Sequence, residues 1–155
     1  MSAGRKALVT LFVVSAVTLS VPAIAYGVGL MKIEGRPVPA DPKKYAAGEL
    51  AAAWQRCRDR PPVSVVPLNP WGYTAKFLWG SPYFEGSGQL SAWHIVRNYN
   101  SKHLPKGMKW WHLSGASLTI WVTQNWSGEQ IAATLIRDGL CTETPNTSFE
   151  RTREG

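Results

Sequence analysis

Between Glu85 and Glu129 the chain has not one aspartate or glutamate. The gap excludes from the middle of the sequence any pair of carboxylates for general acid–base chemistry, leaving only imidazoles as bases. Metal binding is excluded by the same shortage. His94, His103 and His112 form no i, i+3 or i, i+4 pair and have no nearby acid, so no metal and no cofactor is expected. Cysteine is scarce too. Cys57 and Cys141 are the 2 present, and in an oxidising compartment such a pair reads as a disulfide. Closing so long a loop is worth about 4–5 kcal/mol on the chain-entropy model. Two buried free thiols are the alternative. No internal repeat is present.

Cations and indoles are plentiful by contrast. Lys and Arg number 17 against 10 acids, a net charge of +7 and a sequence pI near 9.7. Such a surface attracts nucleic acid, acidic lipid head groups or anionic wall precursors. There are 8 Trp against 4 Phe, and an indole, apolar with one N–H donor, favours half-wet interfaces.

Arg5 and Lys6 precede a run from Ala7 to Met31 that carries no charge. About 20 apolar residues span a bilayer core. The cationic flank stays in the cytoplasm and sends the remainder across, which sets nucleic acid aside as a partner. Two fates are open. Retention gives a single-pass inner (plasma) membrane anchor over residues 1–31, with Tyr26 at the interface. Cleavage after Ala23-Ile24-Ala25 gives a secreted or periplasmic protein.

The remainder reads as mainly α, with about five helices and at most a short extended edge segment. Residues 32–42 form a proline-rich extended linker, residues 43–141 the helical extracytoplasmic domain, and residues 142–155 a disordered tail. A first helix runs from Pro42 to Arg58, capped by Asp41. Val63–Leu68 is extended, and Asn69-Pro70 opens a second helix through Trp79. A third covers Gln89 to Tyr99. The segment Met108 to Trp126 is apolar nearly all round, so it is buried or in contact with lipid. Ser127 and Gln130 form a capping box for a last helix ending at Gly139. Trp110 and Trp111 are adjacent and cannot share a helix face, which places one of them at the membrane interface.

The acid-free window holds the strongest constellation in the chain. Arg97, Lys102, Lys109 and His94, with Asn98, read as an anion site. Ser91 and His94 share a helix side as a nucleophile and base would, without an orienting acid. Glu85 and His94 are the catalytic candidates, both weak, and no catalytic residue is assigned.

Three segments taken in order resemble a known family: Gly88 to Asn98, the helix around Leu118-Thr119-Ile120, and Trp126 to Ile131. They are similar to the glycosyltransferase family 51 domain, the peptidoglycan transglycosylase of penicillin-binding proteins. Arg97-Asn98 matches its Lys-Asn pair and Ser127 to Ile131 its later Ser-Lys-Asp-Glu-Ile-Leu motif. The catalytic glutamates are missing, since Glu85 follows Phe84 instead of preceding it, and Gly115 or His112 stands at the second position. The resemblance implies a degenerate, non-catalytic relative in the cell envelope that binds an anionic lipid or lipid-linked peptidoglycan precursor. Two other readings stay open: a scaffolding subunit packed on a membrane protein partner, and an active transglycosylase-like enzyme.

Overall fold

A computed structural model describes residues 3–79, 88–104 and 108–142, excluding the side chains of residues 3, 6, 7, 108 and 109. Glu85, the connector at residues 105–107 and the tail from residue 143 lie outside the described residues. The chain is all helical there, with α1 (Ala3–Met31), α2 (Ala47–Arg56), α3 (Pro70–Trp79), α4 (Gln89–His103), α5 (Met108–Asn125) and α6 (Gly128–Arg137). The long apolar helix is therefore followed by five shorter ones, and no strand occurs among the described residues.

Within α1, the 24 residues Leu8–Met31 are long and apolar enough to cross a membrane. From Leu8 to Val21 every side chain is exposed. The C-terminal third behaves differently, because it packs on α5. Gly29 is buried there, and a Cβ added to it would come within 2.7 Å of the Leu113 carbonyl. The Ser114 hydroxyl donates to the Gly29 carbonyl at 3.0 Å, so two small residues let the backbones approach. Pro22 lies inside the helix and has no amide proton to give the preceding turn. Close by, the Leu19 carbonyl accepts the Trp71 indole N–H of α3 at 2.9 Å.

The core lies between α2, α4, α5 and α6 and is built on Trp54, Ile95, Leu118, Val122, Ile131 and Leu135. A disulfide joins Cys57, at the end of α2, to Cys141, just beyond α6. The free-thiol alternative is thereby removed. Gly88 stands at the start of α4 with φ +71, and a Cβ there would lie 2.5 Å from the Trp54 ring.

The helix expected over Pro42 to Arg58 is broken. Asp41 caps only a 3-10 turn at Pro42–Lys44, accepting from the Lys43 amide at 3.0 Å. Tyr45 and Ala46 are extended, and Glu49 reaches back to the Ala46 amide at 2.7 Å to start α2 afresh. Val63–Leu68, expected to be extended, forms no strand. Its backbone is satisfied by side chains instead: Gln89 donates to the Val66 carbonyl at 3.0 Å. Thr123 accepts from the Leu68 amide at 3.1 Å, and Gln124 donates to the Leu68 carbonyl at 2.7 Å. The proline-rich segment expected to be extended turns and bends over residues 32–35, with Gly35 at φ +69, and it is strapped to the domain. The Ala40 amide donates to Thr134 at 2.9 Å, Arg137 to the Val38 carbonyl at 2.9 Å and Tyr99 to the Glu34 carbonyl at 2.9 Å.

Candidate functional site

A cavity of about 680 Å³ opens where α1, α3, α4 and α5 meet, within the usual range of roughly 300–1,000 Å³ for small-molecule sites. Its α1 wall is Pro22, Ala25 and Tyr26, and α3 adds Tyr73 and Phe77. On α4 the wall is Trp93, Val96, Arg97 and Asn100, one stripe at the i, i+3, i+4, i+7 spacing of a helix face. Opposite them α5 presents Trp111, Leu113 and Ile120, with His112 at the rim. Gly115 keeps α4 and α5 close: a Cβ on it would lie 3.4 Å from the Asn100 side-chain nitrogen.

Few polar groups interrupt these apolar walls. Arg97 is exposed, and its guanidinium carbon lies 5.4 Å from the Trp93 ring centre, a cation–π contact. Among the described residues the one ion pair is Arg137–Asp138, so Arg97 meets the cavity with its charge uncompensated. Asn100 donates from Nδ2 to the Trp111 carbonyl at 3.2 Å. Its Oδ1 is buried with no hydrogen-bond partner among the described residues.

Of the residues singled out in the sequence, Arg97, Trp111 and Tyr26 come together on this cavity. His94, Asn98 and Lys102 are not on its wall. They follow one another at i, i+4, i+8, a second stripe of α4 rotated away from the first. The cation cluster therefore divides between two faces, with Lys102 in the solvent-exposed last turn. Trp110 is half-buried beneath the Lys32 ammonium, 4.8 Å from its ring centre, and the Lys109 side chain lies outside the described set. Sequence reasoning missed Trp93, Asn100 and Tyr73, whereas His112, named there as one of the window's histidines and at the second glutamate position, does reach this wall. The spacing of Trp93, Arg97 and Asn100 was the available signal for the α4 wall.

An acid does enter the carboxylate-free window, from far off in the chain. Asp59 is 3 % exposed and accepts from the Gly88 amide at 3.0 Å, the Ser91 amide at 3.1 Å and the Ser91 hydroxyl. This caps the N-terminus of α4, where a carboxylate suits the exposed N–H groups and the dipole. Ser91 is fully buried with its proton given to Asp59, so it is a capping group, closed to substrate. His94 is half-buried, edge-on to Trp93 at 5.4 Å. Burial pushes its pKa below the ordinary 6.5, the Arg97 charge adds to that, and Asp59 opposes it.

The motif from Ser127 to Ile131 has a complete local account. Ser127 Oγ accepts from the Gln130 amide at 3.1 Å, and Gln130 accepts from the Ser127 amide at 2.9 Å, the reciprocal capping box of α6. Comparison with protein-family models, with curated proteins and with solved structures gives no match.

Proposed function

We propose that this protein is a single-pass anchor of the inner (plasma) membrane whose extracytoplasmic domain binds an amphiphile with an anionic headgroup. The site is the cleft between α1, α3, α4 and α5. The observation that carries the reading is Arg97, without an ion-pair partner among the described residues, on the rim of a mostly apolar cavity walled in part by the membrane helix itself. An apolar channel accommodates acyl or isoprenoid chain, and a guanidinium holds phosphate-type oxygens. Such a ligand reaches the cleft from the outer leaflet without crossing water. A lipid-linked envelope precursor and an acidic phospholipid share this chemistry.

Retention of the anchor is supported by the hydrogen bond from the Trp71 indole to the Leu19 carbonyl. Cleavage after Ala25 removes the Leu19 contact and two residues of the cavity wall. Among the described residues the wall holds no carboxylate, and His112 is its one imidazole; binding without turnover is the reading here.

The test uses the full chain in a neutral maltoside detergent, offered equal amounts of phosphatidylglycerol and phosphatidylcholine with identical chains. Native mass spectrometry counts the lipid retained. Phosphatidylglycerol is expected to be held about tenfold over phosphatidylcholine, as a charge-assisted contact of about 1.5–3 kcal/mol provides. Arg97→Gln should remove most of that preference. Equal retention of both lipids by the wild-type chain would overturn the proposal.

A second reading rests on Phe77, Leu78 and Trp79, which are 69 %, 70 % and 78 % exposed at the end of α3. In it that face packs on a membrane protein partner, and the signature is a stoichiometric partner retained through purification in mild detergent.

A further inference from the structure

The orphan acceptor of Asn100 narrows the class of headgroup. Asn100 is 1 % exposed and stands on the cavity wall one helical turn from Arg97. Its amide orientation is fixed chemically. The Trp111 carbonyl at 3.2 Å accepts only, so the atom facing it must be the Nδ2 donor. Oδ1 is then left as a buried acceptor without a partner among the described residues. Such an atom is costly when unsatisfied, and folded proteins seldom leave one without a reason. No described group of the wall donates to it: Arg97 is over Trp93, and Trp111 offers this asparagine its carbonyl.

We infer that the amphiphile bound in this cleft carries a hydrogen-bond donor, a hydroxyl or an amide N–H, within a few bonds of its anionic group. The inference rests on the lipid-binding reading above and deepens it. Side chains at i and i+3 on a helix stand about 5–6 Å apart at Cβ. The guanidinium, however, is turned over Trp93, two turns of α4 before Asn100, about 10 Å along the axis, a span that a phosphate on Arg97 and a hydroxyl a few bonds beyond it on the same headgroup cover together. Polyol and sugar phosphates on a lipid chain have this arrangement. A choline headgroup carries no donor, and a simple alkyl phosphate ester carries the charge without the donor.

The discriminating pair is phosphatidylglycerol and phosphatidylmethanol, which have the same charge and chains and differ in the headgroup hydroxyls. The full chain in maltoside is offered both, with phosphatidylcholine as the uncharged reference, and retained lipid is counted by native mass spectrometry. Phosphatidylglycerol is expected to be held about fivefold to tenfold over phosphatidylmethanol, the range that one satisfied buried acceptor supplies. Phosphatidylmethanol should still exceed phosphatidylcholine. Asn100→Leu should bring phosphatidylglycerol down to the level at which the same variant holds phosphatidylmethanol. The wild-type comparison decides by itself if that variant does not fold. Equal retention of the two anionic lipids, both above phosphatidylcholine, sinks the donor requirement and leaves the cleft reading intact; a water on Oδ1 then suffices. No preference for either anion over phosphatidylcholine overturns the cleft reading itself. Displacement of phosphatidylglycerol by an equal concentration of free glycerol phosphate overturns the commitment to a lipid.

Discussion

The Asp59 carboxylate is buried, yet its hydrogen-bond partners are two amides and a hydroxyl instead of a cation. The charge is held by N–H dipoles that α4 cannot satisfy internally, so the loop before α3 and the start of α4 depend on one side chain. Asp59→Ala leaves three donors without an acceptor, two of them backbone. A loss of about 2–4 kcal/mol is expected in urea unfolding of the full chain in detergent, and a loss below about 0.5 kcal/mol would refute the capping role. His94 makes a pH prediction. Its folded pKa lies below 6.5 because of burial and then Arg97, with Asp59 acting the other way. The unfolded ring therefore binds its proton first as pH falls. Stability is fully present above 6.5 and declines below it until the folded ring also titrates. Between about pH 7.5 and 5.5 the wild type should lose more stability than His94→Gln, read as the difference in urea midpoints. Parallel curves would show that the ring is not shielded.

Helix ends show which parts of the architecture are locally encoded. Both α2 and α6 stop in a Schellman motif. For α6 the Gly139 amide donates to the Ile136 carbonyl and Leu140 to Leu135, with Gly139 at φ +61. For α2 the Arg58 amide donates to Gln55 and Asp59 to Trp54, with Arg58 at φ +64. An arginine in the left-handed region costs about 1–2 kcal/mol that glycine avoids. Arg58→Gly should therefore raise Tm by a few degrees in a thermal melt of the full chain, and Gly139→Ala should lower it. An unchanged or lower Tm for Arg58→Gly contradicts the strain argument. The Gly139 stop and the Ser127 capping box were legible because donor and acceptor lie within five residues. The start of α4 at Gln89 was legible too, but its cap was not, because the cap comes from Asp59, 29 and 32 residues before its partners. Asp41 was recognised as a cap, but its turn ends at Tyr45, because Glu49 offers the Ala46 amide a competing start. The α4 wall was half legible. The window's cations were visible in sequence, while their division into two stripes needed the helix to continue through His103 and α5 to cover one of them.

At the scale of the whole molecule, the proposed anchor sets the depth of everything packed on it. Leu8 to Ala25 rises about 26 Å, close to a hydrocarbon core of about 30 Å, and its exposed side chains up to Val21 meet no other part of the described protein that would bury them. With the outer boundary near Tyr26, the Leu19 carbonyl lies about 10 Å inside the membrane, and the Trp71 bond to it draws the start of α3 into the outer leaflet. The exposed Phe77, Leu78 and Trp79 then face lipid instead of water, and the mouth of the cleft stands at the level of the headgroups. Spin labels at Leu78→Cys and Lys102→Cys in the full chain in nanodiscs measure this directly, since both native cysteines are bonded. Residue 78 should be accessible to oxygen and shielded from a water-soluble nickel chelate, and residue 102 the reverse. If residue 78 is as open to the chelate as residue 102, α3 stands in water, the cleft has no route to lipid, and the position of Arg97 loses its link to headgroup binding.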